Sequence, residues 1–320
     1  MRSNVSGLPA LIAAVWCVAA SPVAAQANYP DKPIQVLVGF PAGASADILS
    51  RYYTKKLQEL TKQTILLENK PGLFGLLAGG VAARAKPDGY TVWFTPSIPA
   101  ARILLKESPF NPDTDFAPVA ALFQTPLMLS VSGKSEIKSV AQLVEHLRNT
   151  RGRYGYGSPT TLIATEYFLN NAGITAEGVP YRGASQALPE VENMTLDFII
   201  NDAMTAWPAS KAGRLRALAV TIDKRIPGIP DVPTMQEEGF KDYNFDGWWG
   251  AFVPAKTPPA VVAKLAGLFA EINRQPETKK FLESVVALPL FGDAEWMRKQ
   301  LAKDTETWVG LAKASNLQPQ

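Results

Sequence analysis

The chain has 320 residues, a formal charge of +3, one cysteine and one histidine. Its Lys and Arg residues are scattered along the sequence, which excludes the clustered basic surface that a nucleic-acid partner needs. One cysteine and one histidine leave no disulfide pair and no set of soft metal ligands.

The first 27 residues have the pattern of an export signal. Arg2 gives a positive start, residues 8–20 an apolar core and Ala25-Gln26-Ala27 an A-x-A cleavage site. The apolar run is too short, with Pro22 soon after it, to span a bilayer. Cleavage near Ala27 is expected to leave a periplasmic chain starting near Asn28, without Cys17 and so without cysteine. Losing Arg2 leaves 31 basic against 29 acidic side chains, a net +2. The remaining length suits two domains, each with its own core.

Ile34, Val36, Leu37 and Val38 read as a buried parallel strand. Gly39, Pro41 and Gly43 break it, and Ser45 is expected to cap a helix with Asp47 in its first turn. Leu49, Tyr53, Leu57 and Leu60 recur along that helix at helical spacing. The turn therefore points helix amides at whatever lies above the sheet, a ready site for an anion. The same loop, Gly43-Ala44-Ser45-Ala46-Asp47, departs from a G-x-S-x-G nucleophile elbow only at its last position. A serine hydrolase built on Ser45 is thus a rival reading, and His146 is the only histidine it could use.

A strand at 64–68, a small-residue helix at 76–84 and a strand at 90–95 complete a βαβαβ unit. Such alternation implies a parallel sheet with helices on its faces. Thr95, which ends the third strand, is counted among the ligand-facing positions. The glycines of 72–80 fit neither a dinucleotide nor a phosphate loop. Residues 122–131 form another strand, and Ser139 opens a helix with the stripe Val140, Leu143, Val144, Leu147. His146 falls off that stripe and reads as a solvated surface residue.

Residues 154–158 lead to a second turn, Gly157-Ser158-Pro159-Thr160-Thr161, before a helix at 162–170. Residues 179–181 lead to a third, Arg182-Gly183-Ala184-Ser185. Three strand ends thus feed small or hydroxylated residues into helix N-termini, as convergent donors around an anion would require. A strand at 196–200 delivers Asn201 and Asp202, the latter either a ligand-facing acceptor or a helix cap. A strand at 215–221, a proline-dense stretch at 227–233 and an aromatic strand at 248–253 follow. Trp248 and Trp249 read as core or interdomain packing, with a stacking platform as the alternative. Three helices, at 261–273, 277–283 and 295–311, end the chain.

The assembled motifs resemble the Bug-type substrate-binding receptors of the tripartite tricarboxylate transporter family. The resemblance covers nearly the whole mature chain and rests on Tyr-Pro-Asp-Lys-Pro-Ile at 29–34, Phe-Pro-Ala-Gly-Ala-Ser-Ala-Asp at 40–47 and Glu-Asn-Lys-Pro-Gly at 68–72. Lys-Pro-Asp-Gly-Tyr-Thr at 86–91, Val-Pro-Tyr-Arg-Gly at 179–183 and Lys-Ala-Gly-Arg-Leu-Arg-Ala-Leu-Ala-Val-Thr at 211–221 continue it. Pro-Asp-Val-Pro-Thr at 230–234 and Pro-Ala-Lys-Thr-Pro at 254–258 complete it.

That resemblance implies an α/β, two-lobed periplasmic binding protein of the type II, Venus-flytrap kind. A mostly parallel sheet in each lobe would carry helices on both faces. Lobe 1 is expected at 28–125 plus 249–320 and lobe 2 at 126–248, with crossings near Thr125 and Trp248. The implied role is capture of a small organic carboxylate for the membrane components of the transporter, by a monomer without metal or cofactor. A sensor reporting to a membrane signalling partner would use the same closure. The ligand is expected against Phe40, Ala42, Gly43, Ala44, Ser45, Ala46 and Asp47 in one lobe. Gly157, Ser158, Thr160, Thr161, Tyr181, Arg182, Gly183 and Asp202 face it from the other.

Two departures stand out. Ala44 replaces the second of two glycines usual in the family's first loop, limiting how closely the backbone can approach. The 157–161 loop is about four residues shorter than the family pattern and lacks its histidine. Fewer loop donors disfavour a compact tricarboxylate and favour one firmly held carboxylate on an aromatic or longer-chain acid.

Overall fold

The computed structural model describes residues 28–96, 98, 106–181 and 183–314. The proposed export signal and Arg182 lie outside the described residues. Strands β1 (Ile34–Val38), β2 (Ile65–Asn69) and β3 (Thr91–Thr95) pair in parallel, with β1 in the middle. Helices α1 (Ser45–Thr61) and α2 (Leu76–Ala83) connect them, so the expected βαβαβ unit is present. The apolar residues of β1 and the stripe Leu49, Tyr53, Leu57 of α1 are buried together. Side chains on both faces of β1 are sealed from water, which is why that strand reads as a continuous apolar run.

Strand β4 (Phe116–Ser132) is 17 residues long and changes partners along its length. From Phe116 to Pro126 it runs antiparallel to β9 (Asp246–Pro254). From Leu127 it pairs instead with β7 (Phe198–Asp202) and β8 (Leu215–Val220). Beyond β7 lie β5 (Arg153–Tyr156) and β6 (Glu177–Pro180), all three parallel. The path is therefore β2-β1-β3-β9-β4-β7-β5-β6, with β8 pairing β4 off this path. Each lobe keeps a parallel core, and the antiparallel β4 and β9 make both sheets mixed. At the change-over, Thr125 sits opposite Gly247 and its hydroxyl donates to the Gly247 carbonyl at 2.8 Å.

The second lobe carries α3 (Val140–Asn149), α4 (Pro159–Ala172), the short α5 (Leu188–Glu192) and α6 (Ala203–Lys211). Helices α7 (Pro259–Arg274) and α8 (Pro276–Ser284) then return to the first lobe. The amide of Asn273, buried at the end of α7, donates to the carbonyls of Ala121, Leu122 and Leu290. Its oxygen accepts from Tyr53 Oη, so one side chain ties α7, α1 and β4 together. The two-residue β10 (Leu288–Pro289) pairs β4, and α9 (Ala294–Ala314) packs along β4 and reaches α4 of the second lobe. Trp308 of α9 stacks on Phe245 at 6.1 Å.

His146 differs from its sequence reading. Its Nε2 lies 2.7 Å from Asp197 Oδ1, while Asp197 Oδ2 accepts the Arg153 amide at 2.7 Å. The residue pins α3 to the start of β7 instead of standing free in solvent. Periodicity along α3 placed it off the apolar stripe correctly but had no view of an acid 51 residues away.

Candidate ligand cleft

A cleft of about 450 Å³ opens between the lobes above the β4–β9 crossing. The β1–α1 loop forms one wall, with Phe40, Ala42, Gly43, Ala44, Ser45 and Ala46 all facing it. Gly43 sits at φ +81°, a backbone conformation that a side chain disfavours. The helix begins one residue earlier than the cap reading implied. Ala44 is the N-cap, Ser45 is the first helical residue, and no side chain caps the end. The first helical bond runs from Ile48 N–H to Ala44 O at 3.1 Å. The amides of Ser45, Ala46 and Asp47 therefore precede the hydrogen-bond ladder, and the helix presents them as donors with its positive dipole end.

Asp47 explains how this loop holds its shape. Its Oδ2 accepts from Gly43 N–H at 2.9 Å and from Arg51 Nε at 2.9 Å, and its Oδ1 accepts from Asn69 Nδ2 at 2.9 Å. Asn69 also donates to Phe40 O at 3.0 Å, which binds the loop to the end of β2. Asp47 is buried and does not line the cleft. Its place is behind the loop, bracing it, and not in the ligand's path as the motif suggested. Burial works to raise its pKa, but the hydrogen bonds from Arg51, Gly43 and Asn69 and the Arg51 charge outweigh that. The carboxyl is held below its ordinary value.

The opposing wall is built differently. Helix α4 starts at Pro159, earlier than the sequence pattern placed it, with Ser158 as N-cap. Ser158 Oγ accepts from Thr161 N–H at 3.2 Å, while Thr161 Oγ1 lies within 3.3 Å of Gly157 N and 3.2 Å of Ser158 N. This capping box uses the donors that the short loop was expected to offer a ligand. Thr161 is buried in the cap and does not line the cleft. Gly157, Ser158, Thr160 and Gly183 do line it. Tyr181 lies aside, its hydroxyl raised by burial and by a hydrogen bond to Glu190. Thr95 is buried within β3, away from the lining.

Asp202 ends β7 and faces the cleft, half-buried; its side chain makes no helix-capping bond. Of its two sequence readings, the side-chain cap is not made. Burial pushes its carboxyl up to about 6, against the lowering influence of Thr125, Ser45 and its own amide. Ser45 belongs to the first lobe and Asp202 to the second, so this contact crosses the cleft. Helix α6, which follows, contributes Met204 and Thr205 from its open first turn.

Several lining residues escaped sequence reasoning. Thr125 was placed at a crossing, not in a site, Gly247 and Gln186 were not singled out, and Ser185 was read only within the third donor-bearing turn. Trp249 reaches the cleft while packing against Phe123 at 5.4 Å and Phe40 at 5.6 Å. Side chains alternate along a strand, so Trp248 turns the other way, and that alternation was the available signal. Among the described lining residues there is no Lys, Arg or His, and Asp202 is the one ionisable carboxyl.

The hydrolase reading fails on distance. Ser45 faces Asp202, whereas His146 pairs with Asp197 at the opposite end of β7. Five strand residues at ~3.3 Å each separate the two ends by roughly 16 Å, far beyond a nucleophile–base hydrogen bond.

Two lobes joined by paired crossing strands, with an open helix terminus at the cleft between them, define a periplasmic binding protein. Residues 49–317 match the family model described as tripartite tricarboxylate transporter family receptor. The chain belongs to that family, whose members serve transport and not catalysis. Protein BugT of Bordetella pertussis is 27% identical over 305 residues, 92% of each chain. The structure of R. palustris Rpa4515 with adipate has a TM-score of 0.85 at 28% identity, covering 91% of this chain and 100% of that one. The periplasmic binding protein BugD shares the fold, with a TM-score of 0.83 at 24% identity over 91% of this chain and 100% of its own.

Replacing Asp47 with Asn tests the brace. Its folded pKa is depressed, so its stabilisation is present above the unfolded value near 4 and is lost as pH falls through the folded value. Asp47→Asn should cost about 1–3 kcal/mol at pH 7 in urea unfolding, because one amide hydrogen-bond donor would face donors. The gap to wild type should close below about pH 4; a gap independent of pH would contradict the assignment.

Proposed function

We propose that this chain is an exported, monomeric receptor that closes two lobes on one organic carboxylate and delivers it to the membrane components of a tripartite transporter. The observation that carries the reading is the open amide end of α1, braced from behind by Asp47. A carboxylate there would accept from Ser45 and Ala46 and meet the positive helix terminus. Hinge closure would turn on the two crossings, with lobe 1 at 28–125 plus 249–320 and lobe 2 at 126–248. The change of partners along β4 supports that division.

The acid should carry a single carboxylate in the cleft. The second wall has used its loop donors on its own cap, and Asp202 would repel a further anion. Phe40, Ile48, Met204 and Trp249 offer apolar surface for an aromatic or longer-chain remainder. The relative whose structure holds adipate supports an extended carbon chain, here with one carboxylate where adipate has two.

Three measurements follow from this reading. In a thermal-shift panel, aromatic and longer-chain monocarboxylates should raise Tm by several degrees at about a hundred times Kd, and citrate should not. Citrate as the strongest ligand would overturn the preference. Affinity for a plain carboxylate should fall roughly fivefold as pH rises through about 6 and Asp202 ionises, since like charges repel across the cleft. Asp202→Asn should flatten that profile, and an unchanged slope would show another group is titrating. The periplasmic protein should have a mass corresponding to a start near Asn28; retention of Met1 would contradict export with cleavage.

A further inference from the structure

Behind the cleft lies a second cavity of about 210 Å³, bounded by α4, the start of β9 and the outer half of α9. Pro96, Thr160 and Gly247 line both spaces, so a layer of three residues divides them. Gly247 adds no side chain to that boundary. A Cβ there would stand 2.7 Å from Thr125 Oγ1 and 3.8 Å from Thr160 Cγ2. Thr160 is only 5% exposed, yet its hydroxyl has no hydrogen-bond partner within the protein. A buried hydroxyl without a partner costs about 1–3 kcal/mol, and a ligand passing the partition would satisfy it.

The far cavity has a definite chemistry. Asp304 stands half-buried in it, accepting from Trp248 Nε1 at 2.6 Å and from Gln300 Nε2 at 2.8 Å, one donor on each oxygen. A carboxylate has about four acceptor sites, so capacity remains. Asp242 is a second acid, and Tyr167, Phe245, Trp248 and Trp308 supply aromatic rings. Lys303 is the single described cation of the lining and is exposed. Burial raises the Asp304 carboxyl above its ordinary range, against the hydrogen bonds from Trp248 and Gln300 and the Lys303 charge.

We propose that cleft and cavity form one elongated ligand site, and that the far end of the ligand is an organic ammonium held by Asp304 and the surrounding rings. The inference rests on the carboxylate reading of the cleft and deepens it: the ligand class is an ω-amino carboxylate. Carboxylates and aromatic faces together recognise ammonium groups. A second ligand anion would instead meet the half-buried Asp202 and Asp304, with Asp242 and Lys303 both exposed.

Isothermal titration with two series of unbranched acids of increasing length, plain and ω-amino, tests this on wild type and on Asp304→Asn. Beyond a minimum length, the ω-amino acid should bind about tenfold more tightly than the plain acid of equal length (a factor worth ~1.4 kcal/mol). Asp304→Asn should erase that gain, so that plain and ω-amino acids of equal length bind alike. Plain acids that bind without any ω-amino gain would overturn the inference and leave the carboxylate reading intact. A gain already complete at the shortest length would also overturn it, because Asp202 in the cleft would suffice. If no acid of either series binds, the carboxylate reading fails and this inference with it. The wild-type length dependence decides the matter even if the Asp304→Asn protein does not fold.

Discussion

The molecule depends on one strand that belongs to two sheets. A backbone ladder cannot be shared equally by partners on the same edge, so β4 must give up β9 before it takes β7 and β8. That exchange occurs at Pro126–Leu127, directly beneath the cleft. Pro126 has no amide hydrogen to contribute to a ladder, which suits the place where pairing changes hands. Thr125 on β4 and Gly247 on β9 clasp each other there, and both face the cleft. The floor of the site and the junction of the lobes are the same few residues.

On that floor, two helix N-termini face each other with opposite states of satisfaction. Helix α4 is closed by its own capping box, in which Ser158 and Thr161 bond each other's backbone. Helix α1 is left open, and its acid, Asp47, points backward to the loop and to Arg51 and Asn69. Placing the negative charge behind the loop keeps the amides free while still favouring the helix dipole. The result is a cleft polarised across its width, with donors on the first lobe and a carboxyl, Asp202, on the second. For the proposed carboxylate, such a field would orient the ligand as well as hold it.

Helix α9 adds a second tie between the lobes. It packs on β4, and its Trp308 stacks on Phe245 just before β9. Asp304 on the same helix takes the indole N–H of Trp248, a residue of the crossing strand itself. The alternation of Trp248 and Trp249 thus links the two sides of the crossing: one ring walls the cleft, the other anchors the C-terminal helix. In the closure proposed above, motion of the lobes would work against both contacts and so would be coupled to the packing of α9.

Much of this was already present in the sequence, and the division has a physical basis. Apolar runs, helical stripes and Gly-Pro turns are local properties, so the βαβαβ unit, the Ser139 cap, the helical C-terminal third and the strand–helix loop at 40–47 could be read directly. The ordered motifs also disclosed the family, because turn residues at fixed spacing encode the same strand ends. What only the tertiary structure decided were the partners of polar groups distant in sequence. Asp47 reaches Asn69 across 22 residues, His146 reaches Asp197 across 51, and Trp248 reaches Asp304 across 56. An acid in a site motif looks the same in sequence whether it lines the cleft, as Asp202 does, or braces the loop from behind, as Asp47 does. Hydroxyls share that ambiguity: Thr161 is spent on its own helix cap while its neighbour Thr160 is buried without a partner. Sequence supplies the donors and acceptors, and the meeting of distant strands determines which of them remain for a ligand.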